Sequence, residues 1–275
     1  MKNLSFQISL FIICILFFLV YRSTFGWLIE RYLEPDSYYS HGFLVPFISA
    51  FLIFLKRKRI NFEKKDQNFI GMGLIIFSMG LHFFSLLSEF FFMDGISLVI
   101  LVLGISIFLF GKSNTREMLF PIFFLLFMIP LPLVAVNAIS FPMKMLVTKS
   151  AVFILDNLFR IPVRNEGFQI FFPQASLIVE NPCSGLRSLI SFLALGSLFA
   201  NFLKSSLSKK YLLFVLSILI SFISNLFRVI LLSLGVFIYG NGAAHGFFHD
   251  LTGLLVFILG FVFLLIAART LHENA

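Results

Sequence analysis

The chain has 275 residues and a formal net charge of +8, yet only 12% of its residues are charged and 59% are hydrophobic, with a mean hydropathy of +1.01. Soluble domains carry about 25% charged residues, so a soluble globular fold is excluded. The basic residues cluster in short segments between apolar runs, which is the positive-inside pattern of a polytopic membrane protein and not a nucleic-acid surface.

Apolar runs of about 18 or more residues predict an all-α integral membrane protein with about eight transmembrane helices. They form a single polytopic domain over residues 1–275, with a catalytic core at about 135–253. The first run, about 4–21, is followed by Tyr21-Arg22 instead of a small-residue cleavage site, so it is retained as a span. Cys14 lies mid-run and behaves as a small apolar residue. Two cysteines so placed make no disulfide framework. Residues 22–41 follow as a polar, aromatic loop.

The second run, about 42–55, starts a few residues earlier at its outer end and stops at Lys56-Arg57-Lys58-Arg59. The linker-like basic loop 56–68 follows. Runs at about 69–88 and 91–110 form a hairpin around Glu89. The fifth, about 117–134, carries Pro121, Pro130 and Pro132, which kink or end it. Residues 135–181 do not span: 136–159 suits an amphipathic helix on the outer surface. Residues 167–179, rich in β-formers and interrupted by Pro173-Gln174, read as a small hairpin. The last spans are 184–203, 211–238 and 250–268.

With both termini inside, Lys2, the six basics of 56–65, Lys112, Arg116, Lys204, Lys209, Lys210 and Arg269 fall in the cytoplasm, thirteen of the 21 Lys and Arg residues. Only six lie in outer loops, which predicts an N-in, C-in topology. Cys183 then lies at the outer end of the sixth span. If that helix begins near Pro182, Cys183 and Arg187 share one face. A thiol beside a helix N-terminus and a cation has the environment that favours a nucleophilic thiolate. Arg228 lies inside the seventh span, about 15 Å deep at 1.5 Å per residue. A central arginine costs about 2.5 to 3.5 kcal/mol on insertion scales and normally has a partner, a water-filled cavity or a task. His249 sits at the outer mouth of the eighth.

Three consecutive spans therefore carry a thiol, an arginine and an imidazole to one side of the membrane. A thiolate attacks an acyl carbon, a histidine moves the proton to the leaving amine, and an arginine stabilises the oxyanion. Each residue alone also has a structural explanation. Cys183 can be a packing residue, Arg228 a carboxylate partner or a lipid-phosphate ligand, and His249 a helix cap with His245 competing for its role. Arg187 is open between a second oxyanion donor, a snorkelling side chain and a salt bridge to Glu180.

Cys183-Ser184-Gly185-Leu186-Arg187-Ser188, then Asn225-Leu226-Phe227-Arg228-Val229, then His249 with Gly253 four residues later, resemble the three signature segments of the exosortase/archaeosortase family. The early stretch Pro35-Asp36-Ser37-Tyr38-Tyr39-Ser40-His41-Gly42-Phe43-Leu44-Val45-Pro46 is similar to that family's N-terminal signature. Asn181-Pro182 before the cysteine departs from the small or acidic residues of the family pattern, although proline suits a first helical turn. Histidine in the third segment resembles the bacterial exosortase branch.

The resemblance implies a cysteine protease-transpeptidase of the inner membrane with its site facing outward. Its substrates would be exported proteins whose C-terminal tails carry a recognition motif, one apolar span and a basic cluster. It implies Cys183 as nucleophile, Arg228 as transition-state stabiliser and His249 as general acid/base. Arg187, His41 and Asn225 are candidate substrate-binding residues, with a structural role for the His41 turn equally open. Neither cofactor nor metal is implied, and a membrane lipid is a candidate acceptor. The competing functions are a transporter or lipid-binding scaffold, in which Arg228 grips an anionic head group, and a thiol-dependent membrane acyltransferase.

Overall fold

The computed structural model describes residues 2–35, 37–60, 68–244 and 246–272. Asp36, His245 and residues 61–67 of the basic loop lie outside the described residues. The chain divides into two compact units, Met1–Leu131 and Pro132–Ala275.

The first unit holds α1 (Lys2–Val20), α2 (Arg22–Leu33), α3 (Leu44–Lys56), α4 (Phe69–Ser88) and α5 (Phe91–Phe124). Residues 22–41, expected as a loop, contain a helix for a reason visible in their spacing. Thr24, Leu28 and Tyr32 recur every four residues and are all buried, which is one face of an amphipathic helix. The second run begins as expected ahead of residue 42, with a 3₁₀ turn at Ser40–Phe43 feeding α3.

The α4–α5 hairpin turns at Glu89, held in the left-handed region at φ 54°. At the start of α4, Asn68 Oδ1 accepts the Ile70 N–H at 3.1 Å, satisfying one of the orphan donors of a helix N-terminus. α5 breaks at Gly111 (φ 76°, ψ 167°). The Ser106 and Thr115 hydroxyls nevertheless meet at 3.0 Å. Nine residues of unbroken helix would separate them by about 13.5 Å along the axis, so the chain doubles back at Gly111. Pro121 lies in the second arm, which gives way after Phe124 to a 3₁₀ turn at Leu125–Met128.

This unit also buries a polar cluster. Asp94, fully buried, receives Thr24 Oγ1 at 2.5 Å and lies 2.5 Å from His82 Nδ1. The Tyr21 hydroxyl lies 3.2 Å from Ser78 Oγ and 2.9 Å from Ser97 Oγ. The cluster ties the α1–α2 junction to both arms of the α4–α5 hairpin.

The second unit runs α6 (Leu133–Asn157), β1 (Arg164–Glu166), β2 (Gln169–Phe171), β3 (Ser176–Ile178), α7 (Leu186–Phe202), α8 (Leu207–Tyr239) and α9 (Phe247–Leu271). The expected hairpin is β2–β3, turning at Pro173-Gln174 with Phe171 opposite Ser176. β1 extends it to an antiparallel three-stranded meander through a turn at Gly167, whose φ is 59°. Ile170, Phe172, Leu177 and Val179 of this segment pack with Val147, Ala151 and Leu155 of α6 and with Val229, Leu232 and Val236 of α8. Each large apolar side chain so buried contributes about 1.5 to 3 kcal/mol. Behind the sheet, α8 packs against both α7 and α9, with Phe192, Leu213 and Leu264 in the shared core.

Six helices among the described residues are long and apolar enough to cross a membrane, or seven if the bent α1–α2 pair forms one span. α6 is one of them; the amphipathic segment expected at 136–159 is thus a continuous helix of span length. α7, with 17 residues, falls below that length.

Candidate active site

Cys183 does not sit on a helix face with Arg187. Residues Asn181–Cys183 form a separate 3₁₀ turn, and α7 starts only at Leu186. Between them Gly185 adopts φ 85°, ψ −3°, a left-handed conformation that breaks helical continuity. The turn is closed by Cys183 N–H donating to Glu180 O at 3.1 Å and Ser184 N–H to Asn181 O at 3.0 Å. Ser184 Oγ accepts the Leu186 N–H at 3.3 Å, capping the start of α7. From α6, Lys144 Nζ donates to Asn181 Oδ1 at 2.9 Å.

The same turn is anchored to α8. Asn225, 1% exposed, donates Nδ2–H to Cys183 O at 3.0 Å. A Cβ at residue 185 would come within 2.8 Å of that Nδ2. Glycine is therefore required twice over, by backbone conformation and by space. The thiol is held with only 7% exposure.

Arg228 lies one helical turn beyond Asn225, and α8 continues unbroken for eleven more residues to Tyr239. His249 lies in the first turn of α9, not in a loop. The connection carries α9 back alongside α8: the Phe248 ring rests directly on Gly235, where no Cβ would fit. Gly253, one turn after His249 on the same face, lies under the Arg228 guanidinium, which a Cβ there would meet at 3.2 Å from Nη2.

These placements converge on one ring nitrogen. His249 Nε2 lies 3.5 Å from Cys183 Sγ and 3.0 Å from Arg228 Nη2. On the far edge of the ring, Nδ1 lies 3.1 Å from Asp250 Oδ1. Thr252 Oγ1 donates to the His249 carbonyl at 2.9 Å. A thiol and a base within hydrogen-bond reach, with a cation beside the base, make a constellation suited to nucleophilic attack on a carbonyl.

Asn225, a candidate substrate-binding residue from sequence, is thus placed against the Cys183 backbone carbonyl. Arg187 is half-buried in the first turn of α7. His41 belongs to the first unit, where its ring stacks on Tyr39 at 5.9 Å. There the Gly42 N–H donates to Tyr39 O at 2.7 Å and the Leu131 N–H to Tyr39 Oη at 3.1 Å, and burial pushes the Tyr39 hydroxyl up to about 12. Sequence reasoning did not single out Asp250, which lies against the His249 ring. It also missed the His82–Asp94 pair, two ionisable residues twelve apart across a hairpin of otherwise apolar runs. Among the described residues no group of three His, Cys, Asp or Glu side chains is arranged to hold a metal ion.

No curated protein and no solved structure matches the chain. A family model described as transmembrane exosortase (Exosortase_EpsH) matches residues 27–266. That match takes in Cys183, Asn225, Arg228, His249 and Gly253 together with the early His41 segment. The chain therefore belongs to the transmembrane exosortase family.

Proposed function

We propose that the chain is a membrane cysteine protease-transpeptidase that cuts C-terminal sorting tails from exported proteins on the outer face of the cytoplasmic membrane. The observation that carries this is His249 Nε2 lying between the Cys183 thiol and the Arg228 guanidinium, at 3.5 and 3.0 Å.

The chemistry follows from that arrangement. The Cys183 S–H bond breaks as its proton passes to His249 Nε2, and the sulfur electron pair forms a C–S bond at the scissile carbonyl carbon. The carbonyl π electrons move to oxygen. An imidazolium Nε2–H and a guanidinium N–H cannot face each other, so Arg228 turns from the ring to the new oxyanion. His249 then gives its proton to the leaving amine as the C–N bond breaks, leaving a thioester on Cys183. Water or an amine acceptor resolves it. A membrane lipid is one candidate acceptor.

Helix lengths support an outward-facing site at the membrane surface. Arg228 follows Lys209 by nineteen residues and Arg269 follows His249 by twenty, which is about 29 to 30 Å of helix, one hydrocarbon thickness. The remaining turns of α8 pack against the β-sheet, and open sheet edges do not face lipid. With N-in, C-in topology, Arg228 and His249 then lie at the outer boundary.

Co-expression with a tailed exported protein from the same genome tests this. Intact mass should show tail loss with the native chain and none with Cys183→Ala. Cleavage retained in Cys183→Ala rejects the proposal.

A further inference from the structure

We propose that Asp250 is a positioning residue that fixes the proton of His249 on Nδ1 and thereby keeps the lone pair on Nε2, the nitrogen that takes the Cys183 proton once Arg228 turns away; this rests on the reading of Cys183 and His249 as nucleophile and base. The argument begins with Arg228. A guanidinium has donors and no acceptor. Its Nη2 stands 3.0 Å from His249 Nε2, so that nitrogen presents its lone pair. A neutral imidazole carries its single proton on the other nitrogen. That nitrogen, Nδ1, lies 3.1 Å from Asp250 Oδ1, and a carboxylate oxygen accepts.

The tautomer is thus specified from both edges of the ring, by a donor at Nε2 and an acceptor at Nδ1. The wrong tautomer would place an N–H against the guanidinium and a lone pair against a carboxylate. Among the described residues, the titratable and charged groups within hydrogen-bond reach of the ring nitrogens include Cys183 from the turn before α7, Arg228 from α8 and Asp250 from α9 itself. Arg228 opposes a positive ring and Asp250 favours one. When the thiol proton moves to Nε2, Asp250 is the group that remains to balance the imidazolium after Arg228 has turned to the substrate oxyanion.

Local structure supports the role. His249 and Asp250 lie in the first turn of α9, with Thr252 holding the His249 carbonyl at 2.9 Å. The Asp250 side chain is 83% exposed against 22% for His249, so the carboxylate fills no core space. Its removal leaves no cavity, and the His249→Ala background in the test below separates a positioning effect from a folding effect.

The test reads the thiol directly, using the full chain in native membranes and a membrane-impermeant maleimide as probe. In Asp250→Ala the pH of half-maximal Cys183 labelling should rise by about half to one unit, because the thiolate–imidazolium pair loses its balancing charge. Asp250→Asn, whose amide oxygen still accepts from Nδ1–H, should fall between the two. In a His249→Ala background the Asp250→Ala shift should vanish. Tail cleavage in Asp250→Ala should drop about tenfold or more, as for second-layer carboxylates behind a ligating or catalytic histidine. An unchanged labelling profile in Asp250→Ala overturns the proposal. A shift that persists without His249 overturns it equally, since Asp250 would then act on the thiol as a bare charge. Failure of the underlying reading looks different: tail cleavage would survive Cys183→Ala whatever Asp250 does.

Discussion

Asn225 holds Cys183 by its backbone: the amide Nδ2–H donates to the Cys183 carbonyl at 3.0 Å, in a space that Gly185 alone keeps open. The position of Cys183 is thereby fixed from α8, the helix that also carries Arg228 one turn further on. Substitutions along this contact should damage catalysis before they damage the fold.

Gly185→Ala is expected to cut tail cleavage at least about tenfold. The residue would have to keep φ near 85°, at a cost of about 1 kcal/mol or more for a residue with a Cβ, and would also press on Asn225. Asn225→Asp replaces the donor with an acceptor that faces the Cys183 carbonyl, so it should be worse than Asn225→Ala. Cleavage rate and membrane accumulation measured together check this: accumulation stays near native while the rate falls at least about tenfold, the size expected for about 1.4 kcal/mol at the transition state.

Arg228→Lys discriminates transition-state stabilisation from simple charge pairing. Lysine keeps the charge and loses the planar fork, so cleavage should fall by at least about a hundredfold, within the range seen for losing an oxyanion donor. A fully active lysine variant would favour the lipid-head-group alternative. Gly253→Ala should act more gently on the same residue, because its Cβ meets Nη2 at 3.2 Å and the guanidinium needs to shift only slightly. Gly253→Val leaves no such room, and the graded pair of cleavage rates tests whether Arg228 works from its place over α9.

Much of the candidate site was legible in the sequence because its chemistry-bearing residues lie in otherwise apolar runs. Cys183, Arg228 and His249 stand out for that reason, and the structure brings them within 3.5 Å of a shared nitrogen. The details of approach were not legible. A left-handed Gly185 separates Cys183 from α7, and glycine does not announce its φ. The return of α9 alongside α8 depends on Phe248 fitting over Gly235, a tertiary contact between residues thirteen apart. α2 escaped notice because its polar and aromatic residues mask a four-residue period at Thr24, Leu28 and Tyr32. The β2–β3 hairpin was legible from its interrupted β-formers, whereas three-residue β1 is too short to carry a pattern.

The buried pair of the first unit should be structural in its effect. Asp94 is fully buried and takes its hydrogen bonds from Thr24 and the His82 ring. Leaving one partner of a buried hydrogen-bonded pair unsatisfied costs about 1 to 3 kcal/mol. Asp94→Ala should therefore lower the melting temperature of the detergent-solubilised protein sharply. His82→Ala should do the same, and the double variant should cost less than the two combined because each single change orphans the other group. Maleimide labelling of Cys183 in the protein that remains folded should be unchanged, and a changed labelling profile would tie the pair to the chemistry.

The membrane boundary can be read by scanning α8. Leu219 lies midway between Lys209 and Arg228, and Tyr239 lies eleven residues beyond Arg228, about 16 Å further along the helix. Both side chains are exposed in the isolated chain, at 52% and 76%, so protein packing does not shield either. Lipid should shield Leu219 alone. In a background lacking Cys14 and Cys183, an impermeant maleimide added to right-side-out vesicles should label Tyr239→Cys quickly and Leu219→Cys only after detergent is added. Equal labelling of the two would move Arg228 away from the boundary, and labelling of Tyr239→Cys only in inverted vesicles would reverse the N-in, C-in topology.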